Sequence, residues 1–410
     1  MRWDADHPLI LDRPEMYIVG GPTYAEAVTE YAELRFDHLL EPLSNFGFGI
    51  NGSAASTASL TTATVGYFGY DLGRQFESLP VVAADDRVLP LYAIAQVDAS
   101  GARGSRRAAT PQASPNDVRP QAAAARQEPR PPVAPVSTFT RDDYIAAVTR
   151  CREYIAAGDI FQVNLSQRFK VRISEPPRVV FDRMQAKHPA DFPAYLDFGD
   201  FQILSNSPEL FLDVRPLPDG RRRIVNRPIK GTRPRQPGME QALRDSEKDK
   251  AELAMIVDLQ RNDLGRICEI GSVKVTQPRS IEAHPTVYHG VATIEGILRP
   301  EVTLLDILRA TFPCGSITGC PKIRAMEIIE ELEPVRRGPY CGAIGWIGPD
   351  GSMQLSVAIR TMVIQNGYAY VSVGGGIVAD SVPEEEYNET LVKAQAMFEA
   401  LGVELPPLIA

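Results

Sequence analysis

Four acidic residues occur as two pairs with the same spacing. In DSEKDKAELAMIVDLQRNDLGR, Asp249 and Glu252 are three residues apart, and Glu386 and Glu389 repeat this spacing near the carboxyl end. Residues three apart lie on one face of a helix, and a single such pair is typical of a solvated surface. If the two faces oppose each other, four carboxylates would be tolerated only around a hard cation. Mg²⁺ fits this role because it prefers oxygen ligands and retains several waters.

Candidate anion-binding groups occur just before the second acidic pair. VSVGGGIVADS places Gly374, Gly375 and Gly376 directly after a predicted strand. Adjacent glycines let backbone N–H groups approach an anion closely, although a flexible turn has the same composition. Arg360, on the preceding predicted strands, is either exposed or a bidentate clamp for a carboxylate.

Two further residues could take part in covalent or acid–base chemistry. RRRIVNRPIKGTRPR holds Lys230 among six arginines, which ordinarily indicates a solvated edge. A crowd of cations also lowers the pKa of a lysine, as a nucleophilic amine requires. Glu209, in SNSPEL, is a lone carboxylate that indicates nothing by itself.

The elements that would position these residues are partly readable from local patterns. Thr140 and Asp143 form a capping-box-like pair and predict a helix that ends near Gly158. The strand that follows alternates apolar with polar residues from Phe161 to Phe169. Its polar face, which includes Gln162, is expected to meet water or to line a pocket.

The carboxyl-terminal part predicts strands followed by a long helix. GAIGWIG, SMQLSVAIRTMVI and YAYVSVGG are expected to form a three-stranded antiparallel meander joined by PDG and NG turns. Ser381 and Glu384 are expected to cap the last helix, with Pro383 in its first turn. Helices and antiparallel strands alternate in blocks, so the predicted class is α+β, with antiparallel sheets and helices packed outside them.

One compositional break divides the chain. Residues 100–136 are rich in Ala, Pro and Arg and have almost no large apolar residues, so they are predicted to be a linker. The predicted division is an amino-terminal segment at 1–99, this linker, and a larger catalytic domain at 137–406.

The composition excludes several classes of protein. The 410 residues carry a formal net charge of -9, which argues against a main role in holding nucleic acid. The first residues do not resemble a signal peptide, and no apolar run approaches the length of a membrane span. The five cysteines lack metal-site spacing and are expected to be reduced thiols. We therefore expect a cytoplasmic globular protein.

The motifs taken together resemble one enzyme family. DIFQVNLSQRF, SPEL, PIKGT, KDKAELAMIVDLQRNDLGR, FPCGSITGCPKIRAMEIIEELEP, YCGAIGWIG, AIRT and GGGIVADSVPEEEYNET follow one another in the order typical of the chorismate-utilising enzymes. The resemblance covers about residues 140–401, and GYFGYDLGRQFESLP is similar to the amino-terminal part of the synthase subunits. It implies the anthranilate synthase-like fold.

The resemblance implies a role for each residue singled out above. Glu252 and Glu389 would bind Mg²⁺ directly, and Asp249 and Glu386 would act through its waters. Glu209 would be the general acid that protonates the departing C4 hydroxyl of chorismate. Lys230 would be the nucleophile. The remaining residues would surround the substrate: Gln162, Gly231, Thr232, His289, Ser316, Tyr340, Arg360, Gly374, Gly375 and Lys393.

Two positions indicate which reaction of the family applies. Isochorismate and salicylate synthases have a lysine that activates water where this chain has Gln162. Anthranilate synthases typically read PIAGT where this chain reads PIKGT, with Lys230 in place of alanine. The resemblance therefore implies amination of chorismate at C4 to 4-amino-4-deoxychorismate through a lysine adduct at C2, as in 4-aminobenzoate and folate biosynthesis. The alternatives are an anthranilate synthase large subunit and a non-catalytic subunit of the same fold.

Two motifs are missing from the sequence. An LLES-type motif for tryptophan is not found, which disfavours feedback by tryptophan. A glutamine amidotransferase segment is not found either. The implied partners are thus chorismate, ammonia and a separate glutaminase subunit in a heterodimer.

Overall fold

The structure is a computed structural model that describes residues 4, 8–12, 16–20, 25–29, 33–36, 62–98 and 134–408. The predicted linker lies outside the described residues, apart from its last three positions. Strands and helices are numbered below in chain order.

The described strands form two sheets, here called sheet 1 and sheet 2. Sheet 1 has the order β1-β9-β10-β19-β20-β8-β16, and β7 pairs with β8. Its pairings are antiparallel except for that between β1 and β9. Its strands are β1 (Leu9–Asp12), β7 (Val136–Ser137), β8 (Gln162–Arg172), β9 (Phe192–Asp197), β10 (Phe201–Ser207), β16 (Gly319–Cys320), β19 (Thr361–Gln365) and β20 (Tyr368–Ile377).

Sheet 2 is antiparallel and has the order β13-β15-β12-β11-β18-β17-β5-β6-β2-β3-β4, with β14 paired to β15. Its strands are β2 (Met16–Gly20), β3 (Ala25–Thr29), β4 (Glu33–Phe36), β5 (Thr62–Phe68), β6 (Tyr92–Asp98), β11 (Leu210–Pro216), β12 (Arg222–Arg227), β13 (Ile229–Pro234), β14 (Lys274–Ala283), β15 (Val287–Leu298), β17 (Ala343–Ile347) and β18 (Met353–Val357).

Helices pack against both sheets. The described α-helices are α1 (Arg141–Ala156), α2 (Pro177–Lys187), α3 (Met239–Asp245), α4 (Glu247–Gly265), α5 (Leu304–Thr311), α6 (Lys322–Leu332) and α7 (Pro383–Leu401). Helix α7 lies on β20 and contacts α1 and α2, whereas α4 lies on β13, β14 and β15. The α+β class with antiparallel sheets and outer helices is confirmed.

Several local predictions agree with the structure. The side chain of Thr140 accepts a hydrogen bond from the backbone N–H of Asp143, so the predicted cap of α1 is present. Strand β8 also occurs where the alternating pattern placed it. Its polar face does not meet bulk water, because Gln162, Asn164 and Ser166 are all buried.

Two predictions about the carboxyl-terminal part were wrong. The segment SMQLSVAIRTMVI is not one strand of a meander, because β18 belongs to sheet 2 and β19 to sheet 1. The chain crosses between the sheets at Ala358–Arg360, where Arg360 has a φ of 47°. The residue that caps α7 is Val382 rather than Ser381, although Pro383 does begin the helix.

Apolar side chains from both sheets meet between them. Val65 of β5 and Trp346 of β17, in sheet 2, pack in one buried cluster with Leu196 of β9 and Ile203 of β10, in sheet 1. The sheets therefore face each other here, as in a sandwich. Strand β5, from the predicted amino-terminal segment, pairs with β17 from the predicted catalytic domain. The described part of these two segments thus shares one sheet, and the division at 99 and 137 stays a prediction.

The cysteines are free thiols, and four of the five are buried. Among the described residues, no helix is long and apolar enough to cross a membrane.

Candidate active site

Lys230 lies at the centre of the candidate site, on β13. Its Nζ is 4.0 Å from Oε2 of Glu252 on α4, and its side chain is only 12% exposed. Burial lowers the pKa of Lys230, and the positive charge of Lys393 lowers it further, while Glu252, Glu209 and Glu389 raise it. The net lowering makes the neutral amine more accessible than in a free lysine.

Helix α7 brings its carboxylates to the same place. Glu386 is buried, and its Oε1 accepts a hydrogen bond of 2.6 Å from the hydroxyl of Ser381. Glu389 is about half exposed, and its Oε1 lies 2.6 Å from Nζ of Lys393. Lys393 also donates to the backbone carbonyl of Gly374 at 2.9 Å.

The candidate glycines allow β20 to approach these groups. They lie inside β20, paired with β8, and are therefore not a flexible turn. A Cβ on Gly375 would lie 2.9 Å from Oε2 of Glu386, and one on Gly376 would lie 3.2 Å from Nζ of Lys230 and would collide with the amide of Gln162. Any larger residue would have to displace a polar group of the site.

Asp249 differs from the other three candidate ligands. Its Oδ2 accepts a hydrogen bond of 2.9 Å from Arg233, which follows Lys230 by three residues on β13. Gly231, with a φ of 81°, lies directly against it, because a Cβ there would be 2.8 Å from Cγ of Asp249. In this structure Asp249 holds β13 against α4.

The described residues do not form a closed metal cluster. No group of three or more His, Cys, Asp or Glu side chains among them lies close enough together to hold an ion. The donor set nevertheless fits Mg²⁺, because Glu252, Glu386 and Glu389 supply only oxygen. Oε2 of Glu386 is buried without a hydrogen-bond partner, which is the state of an acceptor that a cation could satisfy.

Glu209 lies directly before β11 and interacts electrostatically with Lys230. It is 3% exposed, and burial raises its pKa from 4.5 to about 7, although Ser316 donates a hydrogen bond to it and Lys230 lowers its pKa. Its Oε1 has no hydrogen-bond partner. A carboxyl with a pKa near neutrality suits a general acid.

A second group of predicted residues surrounds the end of β13. Nδ1 of His289 lies 2.9 Å from Oγ1 of Thr232, which is exposed and paired with His289 across the sheet. Burial, together with the positive charge of Arg360, lowers the pKa of His289 to about 3. Burial also lowers the pKa of Arg360. These residues therefore place a cation and a neutral imidazole beside Gly231 and Thr232, which directly follow Lys230.

Two predicted residues have different surroundings. Gln162 is fully buried on β8, and neither of its amide atoms has a hydrogen-bond partner. A Cβ on Gly376 would lie 2.4 Å from Nε2 of Gln162 and 3.2 Å from Nζ of Lys230, so both side chains lie close to Gly376 of β20. Tyr340 is buried with the Arg337 guanidinium 5.9 Å from its ring centroid. No described contact joins Tyr340 directly to Lys230, so its place in the pocket stays a prediction.

Three residues near the site were missed by sequence reasoning. Ser381 was taken for a helix cap but donates to Glu386. Arg233 was counted only as one of the six arginines around Lys230, although it donates a hydrogen bond to Asp249. His284 carried no sequence signal, because its partner Asp191 lies far from it along the chain.

Comparisons with known proteins identify a matching family and a similar solved structure. The family of chorismate binding enzymes matches residues 22–399. The chain is 41% identical over 360 residues to an anthranilate synthase component 1 of Thermus thermophilus, covering 82% of this chain and 77% of that one. It is 43% identical over 350 residues to an aminodeoxychorismate synthase component 1 of Escherichia coli, covering 82% and 76%. The crystal structure of anthranilate synthase component I from Streptococcus pneumoniae superposes with a TM-score of 0.76 and 30% identity, covering 94% and 91%.

Proposed function

This chain belongs to the chorismate binding enzyme family, and we propose that it aminates chorismate at C4 to give 4-amino-4-deoxychorismate. The observation that carries the proposal is the buried amine of Lys230, with its lowered pKa, among the carboxylates of three different elements. A lysine with only a structural role would gain nothing from a lowered pKa, whereas a nucleophilic lysine must lose its proton before it reacts.

Mg²⁺ is part of the proposal. Glu252 and Glu389 would hold the ion, with Glu386 and Asp249 close to its waters. Once bound, it would supply positive charge for the ring carboxylate of chorismate and polarise it. Lys393 and Arg360 would add further positive charge, and Arg360 is the candidate for the carboxylate of the enolpyruvyl arm.

Lys230 and Glu209 would carry out the first step. The neutral Nζ forms a bond to C2 of the ring while the ring double bonds shift and the C4–O bond breaks. Glu209 donates its proton to that oxygen, and water leaves. Without the proton, hydroxide would be a poor leaving group.

The second step would reverse the shift of the double bonds. Ammonia forms a bond to C4, the C2–N bond breaks, and Lys230 leaves as a neutral amine. The carboxylate of Glu209 takes the extra proton of the ammonia, so both residues return to their starting states. The enolpyruvyl group stays on the ring, and a separate lyase must release pyruvate.

Ammonia would come from a partner subunit. The relatives above are named component 1, the name of one part of an enzyme. We propose that a glutamine amidotransferase forms a heterodimer with this chain. Addition of a cognate glutaminase should make the activity glutamine-dependent; failure to do so would count against the heterodimer.

Anthranilate synthesis is the second candidate function. It is favoured by the Thermus thermophilus relative, at 41% identity, and by the pneumococcal structure. Nitrogen would then enter at C2, and pyruvate would leave on the same enzyme. Lys230 weighs against this candidate, since its amine would occupy the position from which C2 is attacked.

The test supplies chorismate, Mg²⁺ and ammonium and follows pyruvate and fluorescence before and after addition of aminodeoxychorismate lyase. The proposal predicts 4-aminobenzoate only with the lyase, whereas anthranilate formed directly would overturn it. Lys230→Ala should lose the lysine adduct in the intact-mass spectrum of the quenched reaction. Lys250→Ala, on the exposed face of α4 beside Glu247, is the matched control. Normal turnover by Lys230→Ala would refute the role of the lysine.

A further inference from the structure

A contact between the two sheets lies next to His289 of the candidate site. Asp191 immediately precedes β9 of sheet 1, and His284 lies in the turn between β14 and β15 of sheet 2. Nδ1 of His284 is 3.3 Å from Oδ1 of Asp191. The side chains are 16% and 41% exposed, respectively. The hydrogen bond that His284 donates to Asp191 raises the pKa of His284, which favours the charged imidazolium.

His284 also contacts a residue of the site. Its ring meets the ring of His289 edge to face, with centroids 4.9 Å apart. His289 is 2% exposed, lies 2.9 Å from the hydroxyl of Thr232 and hydrogen-bonds the backbone of Gly231. Gly231 and Thr232 directly follow Lys230 on β13. A displacement of His289 would therefore move the strand that carries the amine.

The pKa values of the two histidines shift in opposite directions. Burial keeps the pKa of His289 near 3, so its ring is neutral and exists as one of two tautomers. The positive charge of Arg360 lowers the pKa of both histidines, whereas Asp191 raises the pKa of both. The contact between the two rings is edge to face, so the ring of His284 constrains the orientation of His289.

We propose that His284, held by Asp191, is a positioning residue that fixes the orientation of the His289 ring and thereby the end of β13 next to Lys230. The inference rests on the proposed function only in treating Lys230 as the reacting amine. It assigns His284 no contact with the substrate. A partly exposed ion pair contributes little to stability, so its main effect should be on the site.

The first test compares Asp191→Asn, which keeps the shape of the side chain and removes its charge, with wild type. The expected result is a roughly tenfold lower kcat and a KM for chorismate within about twofold, because the pocket is kept and the reacting groups are misplaced. His284→Phe keeps the packing on His289 and should retain more activity than His284→Ala. His188→Gln is the matched control, since His188 bonds to Glu399 on the surface.

The second test does not depend on activity. Nitrogen-15 NMR of the imidazoles, without substrate, should show changed chemical shifts for the ring of His289 in Asp191→Asn and unchanged ones in His188→Gln. An unchanged His289 signal in Asp191→Asn overturns the inference, whatever the kinetics. If wild type makes anthranilate while the His289 signal changes as expected, the proposed function fails and the positioning role stands.

Discussion

The pKa shifts of Glu209 and Lys230 predict how the rate of the first step depends on pH. Burial raises the pKa of Glu209 from 4.5 to about 7 and lowers the pKa of Lys230 from its ordinary value. The proposed first step requires protonated Glu209 and neutral Lys230 at the same time. Because the two groups lie close together, they titrate as a pair, and the reactive form is one arrangement of their shared proton. Glu209→Gln removes one member of the pair while keeping its shape.

The slopes of the pH profile follow from these directions. Below about pH 7, Glu209 is protonated, and the rate should rise tenfold per pH unit with the fraction of neutral lysine. Above about pH 7, loss of protonated acid opposes the gain of neutral amine, so the rate should level off. In Glu209→Gln this opposition disappears. The rate should then rise tenfold per unit across the same range, from a level about 10²–10⁴-fold lower, the usual contribution of a general acid.

The assay measures formation of the lysine adduct without ammonia, since the titration of ammonia would otherwise distort the profile. Enzyme and chorismate with Mg²⁺ are mixed, quenched at short times and analysed by intact mass. Glu385→Gln, on the exposed face of α7, is the control and should follow wild type. A Glu209→Gln profile parallel to that of wild type would refute the reasoning, as would a wild-type rate with no flat region above pH 7.

Three further predictions concern stability and metal binding. Because the pKa of Glu209 is raised in the folded state, its stabilising contribution is complete below pH 4.5 and is lost as pH rises through about 7. Above pH 7, Glu209→Gln should therefore be more stable than wild type by up to about 3 kcal/mol, measured by urea titration. Gly375→Ala puts a Cβ 2.9 Å from a carboxylate oxygen and should weaken Mg²⁺ binding by calorimetry about 10- to 100-fold, whereas Gly265→Ala, with open space around it, should not. Glu333→Gln leaves the buried Arg337 without its ion pair and should cost about 3–5 kcal/mol in urea unfolding; a loss below 1 kcal/mol would contradict this.

Local patterns predicted the elements that are determined locally. The cap at Thr140 and the alternation along β8 depend on neighbours within a few residues, and both were correct. The crossing at Ala358–Arg360 was missed, because an apolar run continues through it and the change of sheet depends on distant strands. The cap of α7 was wrong by one residue, since Ser381 donates to Glu386 instead.

The candidate site was predicted less completely, for a related reason. The acidic pairs could be assigned to helix faces from their spacing, but spacing does not show which cation each carboxylate meets. Asp249 meets Arg233, Glu389 meets Lys393, and the amine of Lys230 lies near Glu252. Such pairings depend on how α4, α7 and β13 pack, which the sequence alone leaves open.

Glycines are the points at which these elements meet. Gly375 separates β20 from Glu386, Gly376 separates it from Lys230, and Gly231 separates β13 from Asp249. A Cβ at any of these positions would come within about 3 Å of a polar group that the proposed chemistry uses. These glycines therefore set how closely β20 approaches Glu386 and Lys230, and how closely β13 approaches Asp249. An explanation based on turn flexibility would require these residues to lie between elements, whereas Gly374–Gly376 are paired within β20 over their whole length.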